Sequence, residues 1–98
     1  MSKKEIRENF RNEVFKRDNY KCVFCNKGVD LDAHHITNRN EMPNGGYVKE
    51  NGITLCKEHH LQAEEVYWKI KIDPQFTPEA LYKKINSNKE LATKKSND

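Results

Sequence analysis

The 98-residue sequence contains no apolar run approaching the roughly 20 residues that a membrane-spanning helix needs. Only 35% of its residues are hydrophobic and its mean hydropathy is −1.07, so a generous core is missing as well. One domain is expected over residues 1–98, and a chain this poor in apolar side chains is expected to need a metal staple. Met1 to Arg7 lack the apolar stretch of a secretory signal, and three cysteines are an odd number. Both features argue against a disulfide framework and for reduced thiolates serving as metal ligands in a cytoplasmic protein. A strong charge of one sign is absent too. Eighteen basic against fifteen acidic residues leave +3, which by itself is weak support for a nucleic-acid partner. Ionisation of the three cysteines and binding of two divalent ions would still leave the balance positive.

What chemistry the chain does carry is concentrated. All four histidines and all three cysteines lie in three short pieces: Cys22-x2-Cys25, Asp32-Ala-His34-His35-Ile36, and Asn51-Gly-Ile-Thr-Leu-Cys56-Lys-Glu-His59-His60. Cys22-x2-Cys25 and Cys56-x2-His59 are half-sites of equal internal spacing that together offer four ligands to a tetrahedral zinc ion. Four protein ligands close the coordination shell, so this zinc is expected to be structural. A Cys-x3-His spacing to His60 is an alternative. Successive helical residues differ by about 100°, so His59 and His60 do not both face one ion. The matching spacing and a stripe shared with Ala63 and Val66 favour His59.

The pattern along the chain places these pieces. Ser2-x-x-Glu5 reads as a capping box ahead of Ile6, Phe10 and Val14, predicting a helix to about Lys16 or Arg17. Leu31 to Ile36 and Ile53 to Leu55 read as short strands, antiparallel if the polar, glycine-containing loop from Thr37 to Glu50 folds back. A helix is expected from Lys57 until Asp73-Pro74, with His59, Ala63, Val66 and Ile70 on one stripe and His60, Glu64 and Tyr67 on the next. Thr77 with Pro78 predicts a further helix over about 77–86, with Phe76 stapled onto Leu81. Residues 87–98 are polar and lysine-rich and are expected to fray.

If His59 completes the zinc site, His34, His35 and His60 are left without a structural role, together with Asn51. These residues, preceded by Lys16-Arg17-Asp-Asn-Tyr-Lys-Cys22-x2-Cys25, resemble the HNH endonuclease family, the zinc-knuckle branch of the ββα-metal nucleases. The resemblance covers roughly residues 11 to 65. It departs at His59, where the family often has cysteine. It implies a small α+β fold, a ββα-metal core (about 11–72) stapled by zinc and flanked by helices. It also implies DNA phosphodiester hydrolysis that leaves 5′-phosphate and 3′-hydroxyl ends.

Under that resemblance His35 is the general base, His34 and His60 hold a catalytic divalent ion, and Asn51 braces the hairpin loop. The chemistry suits the roles, since hydrolysis needs a proton acceptor near neutral pH and a cation beside the phosphate. The catalytic ion is expected to be magnesium or another divalent metal such as manganese or nickel, and imidazole ligands favour tighter binding of manganese, nickel, cobalt or zinc. Glu64 is a candidate hydrogen-bond partner of a metal-binding histidine or a third ligand, and equally a solvated helix charge. Neighbouring strand residues point to opposite faces, so His34 and His35 can serve one phosphate only where the strand ends or twists. Arg17, Lys21 and Arg39 are candidate DNA contacts, with Lys27, Asn38 and Tyr47 nearby. No base-reading helix is evident. The expected partner is DNA, for a monomer or weak dimer, alone or within a larger phage or defence complex. A non-catalytic zinc adaptor for nucleic acid is the alternative.

Overall fold

The computed structural model describes residues 1–98 as a small α+β protein with four helices and one two-stranded antiparallel sheet. Helix α1 spans Lys3–Arg17, strand β1 Leu31–His35, strand β2 Gly52–Cys56, and helices α2, α3 and α4 span Lys57–Tyr67, Pro78–Lys84 and Lys89–Asn97. No helix is long and apolar enough to cross a membrane.

Ser2 caps α1 in a full capping box with Glu5, which satisfies backbone donors at the helix start. The helix ends where Asn19 and Tyr20 adopt positive φ and Tyr20 N–H donates to the Phe15 carbonyl, the 6→1 bond of a Schellman turn. Phe10, Val14 and Phe15 are its buried residues, and Val14 and Phe10 press on Gly52 so closely that a Cβ there would meet them at 2.5 and 2.7 Å.

The strands pair with Leu31 opposite Cys56 and His35 opposite Gly52. Every residue of β2 is buried, because α1 packs over one face of the hairpin and α2 over the other. The core cluster joins Ile36, Ile53, Leu55 and Cys22 to Ala63, Phe76, Leu81 and Tyr82. The ion pair Arg17–Asp18 ties α1 to β2: Arg17 also donates to the carbonyls of Lys49 and Gly52, and Asp18 accepts from Thr54 N–H.

The structure departs from the sequence expectations in three places. The loop after β1 is wound into three short 3₁₀ turns, Arg39–Glu41, Pro43–Gly46 and Lys49–Asn51. Helix α2 stops at Tyr67, six residues before Asp73: Lys69 turns left-handed at φ 60° and Ile70 N–H bonds the Glu65 carbonyl, a second Schellman closure. Ile70 is therefore exposed and does not extend the Ala63 stripe. Residues 89–97 form a docked helix, not a frayed tail. Asn88 caps it, Ala92 and Ser96 are buried against the loop, and Asn44 donates to the Ser96 carbonyl. The helix holds on through small residues that fit closely, which composition does not advertise.

Candidate metal centres and active site

The zinc-type site is assembled from three elements. The turn after α1 brings Cys22 and Cys25, the end of β2 brings Cys56, and the first turn of α2 brings His59. Their ligand atoms lie within 4.8 Å of one another. Cys25 Sγ is 3.8 Å from Cys56 Sγ, and His59 Nδ1 is 3.6 Å from Cys22 Sγ and 3.2 Å from Cys56 Sγ. A tetrahedral ion with Zn–S bonds of about 2.3 Å requires S–S edges of about 3.8 Å, so the donor set fits zinc in both geometry and chemistry. His59, and not His60, completes the cluster.

Burial would raise the Cys22 thiol, yet backbone N–H groups of Cys56, Cys25 and Phe24 outweigh it and carry it below its ordinary value. For Cys25 a backbone bond from Lys27 works downward, but burial and the two neighbouring sulfurs leave it raised. Phe24 and Phe76 stack at 4.7 Å beside His59 and shield its ring.

A second cluster joins His34, His60 and Glu64, whose ligand atoms also lie within 4.8 Å of one another. Glu64 Oε1 stands 3.4 Å from His34 Nδ1 and 3.3 Å from His60 Nε2. The i, i+4 spacing on α2 puts His60 and Glu64 on one face, and β1 slides His34 beneath them. The hydrogen bond from His34 holds the Glu64 carboxyl down at about 2 against the opposing cost of burial, helped by the His34 charge, the Trp68 indole and His60.

Two residues support this cluster: Trp68, which no sequence feature marks, and Asp32, which the sequence places in the histidine segment without a role. Trp68 donates its indole N–H to Glu64 Oε2 at 3.0 Å, and Asp32 Oδ2 lies 3.4 Å from His60 Nδ1. Each stands at a regular offset from its partner's element: Trp68 is i+4 from Glu64, and Asp32 is i−2 from His34 on the same strand face. Those offsets were the available signal. Two imidazoles and one carboxylate come together here, a group that could hold a metal ion, while Asp32 holds the far nitrogen of His60.

His35 faces the other way, stacked on Phe10 at 4.5 Å and edge-on to Tyr47 at 4.8 Å. Strand alternation thus separates it from His34. Both rings nevertheless border one small cavity of about 40 Å³, also lined by Asn38, Glu64, Tyr67 and Trp68 and roomy enough for a water. His34 and His35 each keep a buried Nε2 without a hydrogen-bond partner. Burial first, then the His34 charge and that of Arg39, push the His35 ring down to about 4 against an opposing bond to the Gly45 backbone, so it is neutral at pH 7.

Asn51 lies fully buried behind the site. Its Oδ1 accepts from Thr37 N–H and Tyr82 O–H, and its Nδ2 donates to the carbonyls of Thr37 and Gly46, so it clamps both ends of the loop. It forms no hydrogen bond with either histidine ring. Tyr67 closes the near side, its hydroxyl receiving Asn38 N–H and bonding Glu41.

Among the candidate DNA contacts, Arg17 spends its guanidinium on Asp18 and two backbone carbonyls. Lys21 is exposed beside the cysteine knuckle and Lys27 pairs with Glu58 there. Arg39 stands in the loop beside Asn38, next to the cavity.

No family model, curated protein or solved structure matches this chain.

Proposed function

We propose that the chain is a metal-dependent HNH-type DNA endonuclease. The observation that carries the reading is the juxtaposition at one cavity of a cation-ready cluster, His34, His60 and Glu64, with the unpartnered Nε2 of a neutral His35. In this reading His34, His60 and Glu64 hold the catalytic ion, magnesium or a transition metal such as manganese or nickel. Bound there, the ion supplies positive charge for the pentavalent phosphate and the departing 3′ oxygen.

The chain's own residues do the rest. His35 Nε2 takes a proton from a water, and the oxygen so released attacks phosphorus while the bond to O3′ breaks. The 5′-phosphate stays on one fragment, and O3′ leaves with a proton drawn from solvent. Phe10 and Tyr47 hold the His35 ring in place, and Asn51 positions the loop without touching substrate. Asp32 orients His60, and Trp68 turns Glu64 so that Oε1 faces both imidazoles. The zinc-type cluster has four protein donors and takes no part in the chemistry.

Supercoiled plasmid incubated with zinc-loaded protein and a panel of divalent ions tests the proposal. Ion-dependent nicking is expected, falling about 10²–10⁴-fold in His35→Ala with zinc content and fold retained. Wild-type cleavage by His35→Ala would remove His35 from the role of base. No cleavage with any ion would favour the adaptor alternative.

A further inference from the structure

A groove of about 400 Å³ opens between the first turns of α1 and the loop after β1. Lys3, Arg7 and Arg39 line it together with the amide of Asn40 and the ring of Tyr47, and no carboxylate does. None of the three cations forms an ion pair, although Arg17 and Lys27 elsewhere in the chain do. Lys3 and Arg7 are one helical turn apart, so both project on the same side of α1. Three unpaired, exposed cations around one concavity repel each other and attract an anion with several charges.

The groove neighbours the proposed active site in two ways. Tyr47, which lines it, sets its ring edge-on to His35. Asn38 lines the small cavity shared by His34 and His35, and the next two residues, Arg39 and Asn40, line the groove. The loop that joins them is held in shape by the Asn51 clamp and by α4. Arg39 is therefore the groove cation joined most directly in sequence to the cavity, with Arg7 and Lys3 facing the same groove from α1.

We propose that this groove seats the phosphodiester backbone of bound DNA beside the scissile phosphate, with Lys3, Arg7 and Arg39 neutralising phosphates and Asn40 and Tyr47 guiding the strand. The inference rests on the nuclease reading for the meaning of "scissile", but the binding surface stands on its own residues. It gives the first helix a role in substrate binding that its capping and packing do not explain.

The test is fluorescence anisotropy of a labelled DNA duplex with zinc-loaded protein and no catalytic ion, repeated over a salt series. Each phosphate contact contributes about 0.9 to the slope of log K against log salt, so Lys3→Gln/Arg7→Gln/Arg39→Gln should flatten the slope by about 2.7 and weaken binding tenfold or more. A charge-matched control, Lys83→Gln/Lys94→Gln/Lys95→Gln on α3 and α4, should stay within about twofold of wild type. Thermal unfolding of each variant confirms that the fold is kept, as expected for exposed positions. An unchanged slope in the groove variant, equal weakening in the control, or no DNA binding by the wild type overturns the proposal. Plasmid cleavage with manganese, run in parallel, separates the two readings. Groove-dependent binding without cleavage upholds the groove and removes the nuclease, whereas cleavage with undiminished binding in the groove variant does the reverse.

Discussion

The indole N–H of Trp68 donates to Glu64 Oε2 at 3.0 Å and so fixes which oxygen of that carboxylate is turned to His34 and His60. The bond is made at the last turn of α2, where the helix closes and Trp68 becomes its C-cap. An exposed tryptophan, unremarked in the sequence, thereby orders a buried-facing cluster.

Trp68→Phe should keep the fold and loosen this carboxylate. Outer partners of metal ligands typically carry tenfold to 100-fold in affinity or activity, so manganese affinity measured by calorimetry should fall by about tenfold. Glu64→Gln should fall further. Equal affinity in Trp68→Phe and wild type would show that the indole bond does not position the ligand.

Cys56→Ser attacks the other cluster. Structural zinc ligands contribute directly to folding in chains with small cores, so this variant should lose its zinc and its cooperative thermal transition. Zinc content by metal-sensitive dye and circular dichroism report the two losses together. A folded, zinc-free variant would show that the four donors do not staple the fold.

Tyr82→Phe removes a hydroxyl that bonds Asn51 Oδ1 and Thr37 Oγ1, both at 2.7 Å and buried. Stability should drop by about 1–3 kcal/mol in urea unfolding, because the partners are left under-satisfied away from water. Cleavage should slow only modestly, since Asn51 keeps its three backbone bonds.

Stability should fall as the solution is acidified, through two groups in turn. The His35 ring titrates near 4 when folded against 6.5 when unfolded, so protons favour the unfolded chain as pH falls from 6.5 to 4. Glu64, at about 2 against 4.5, has the same sign over the window from 4.5 to 2. Melting temperatures of wild type and His35→Gln should therefore converge as pH drops across the first window, and those of wild type and Glu64→Gln across the second. Constant gaps would remove these groups as the cause.

Much of this organisation was readable from local pattern. The Ser2 capping box, the two strands, the Thr77 cap and the paired cysteine half-sites all depend on neighbours a few residues away, and the structure has each of them. The end of α2 is not legible in the sequence because no glycine marks it. Lys69 accepts a left-handed conformation that sequence statistics assign to glycine or asparagine, and Asp73-Pro74 offered a more obvious stop. Helix α4 is hidden for a different reason: Ala92 and Ser96 bury little area, and only the loop they fit against makes that burial visible.

By itself, then, the sequence indicated the four donors Cys22, Cys25, Cys56 and His59 that the structure brings together, and that His59 and His60, about 100° apart on a helix, do not both face one ion. Only the tertiary structure decided that Glu64 joins His34 and His60, that Arg17 is consumed inside the fold, and that Lys3 and Arg7 come to share a groove with Arg39. Those relationships join residues about 30 positions apart. Their distances depend on how α1 and α2 pack across the hairpin, and no local spacing rule encodes that packing.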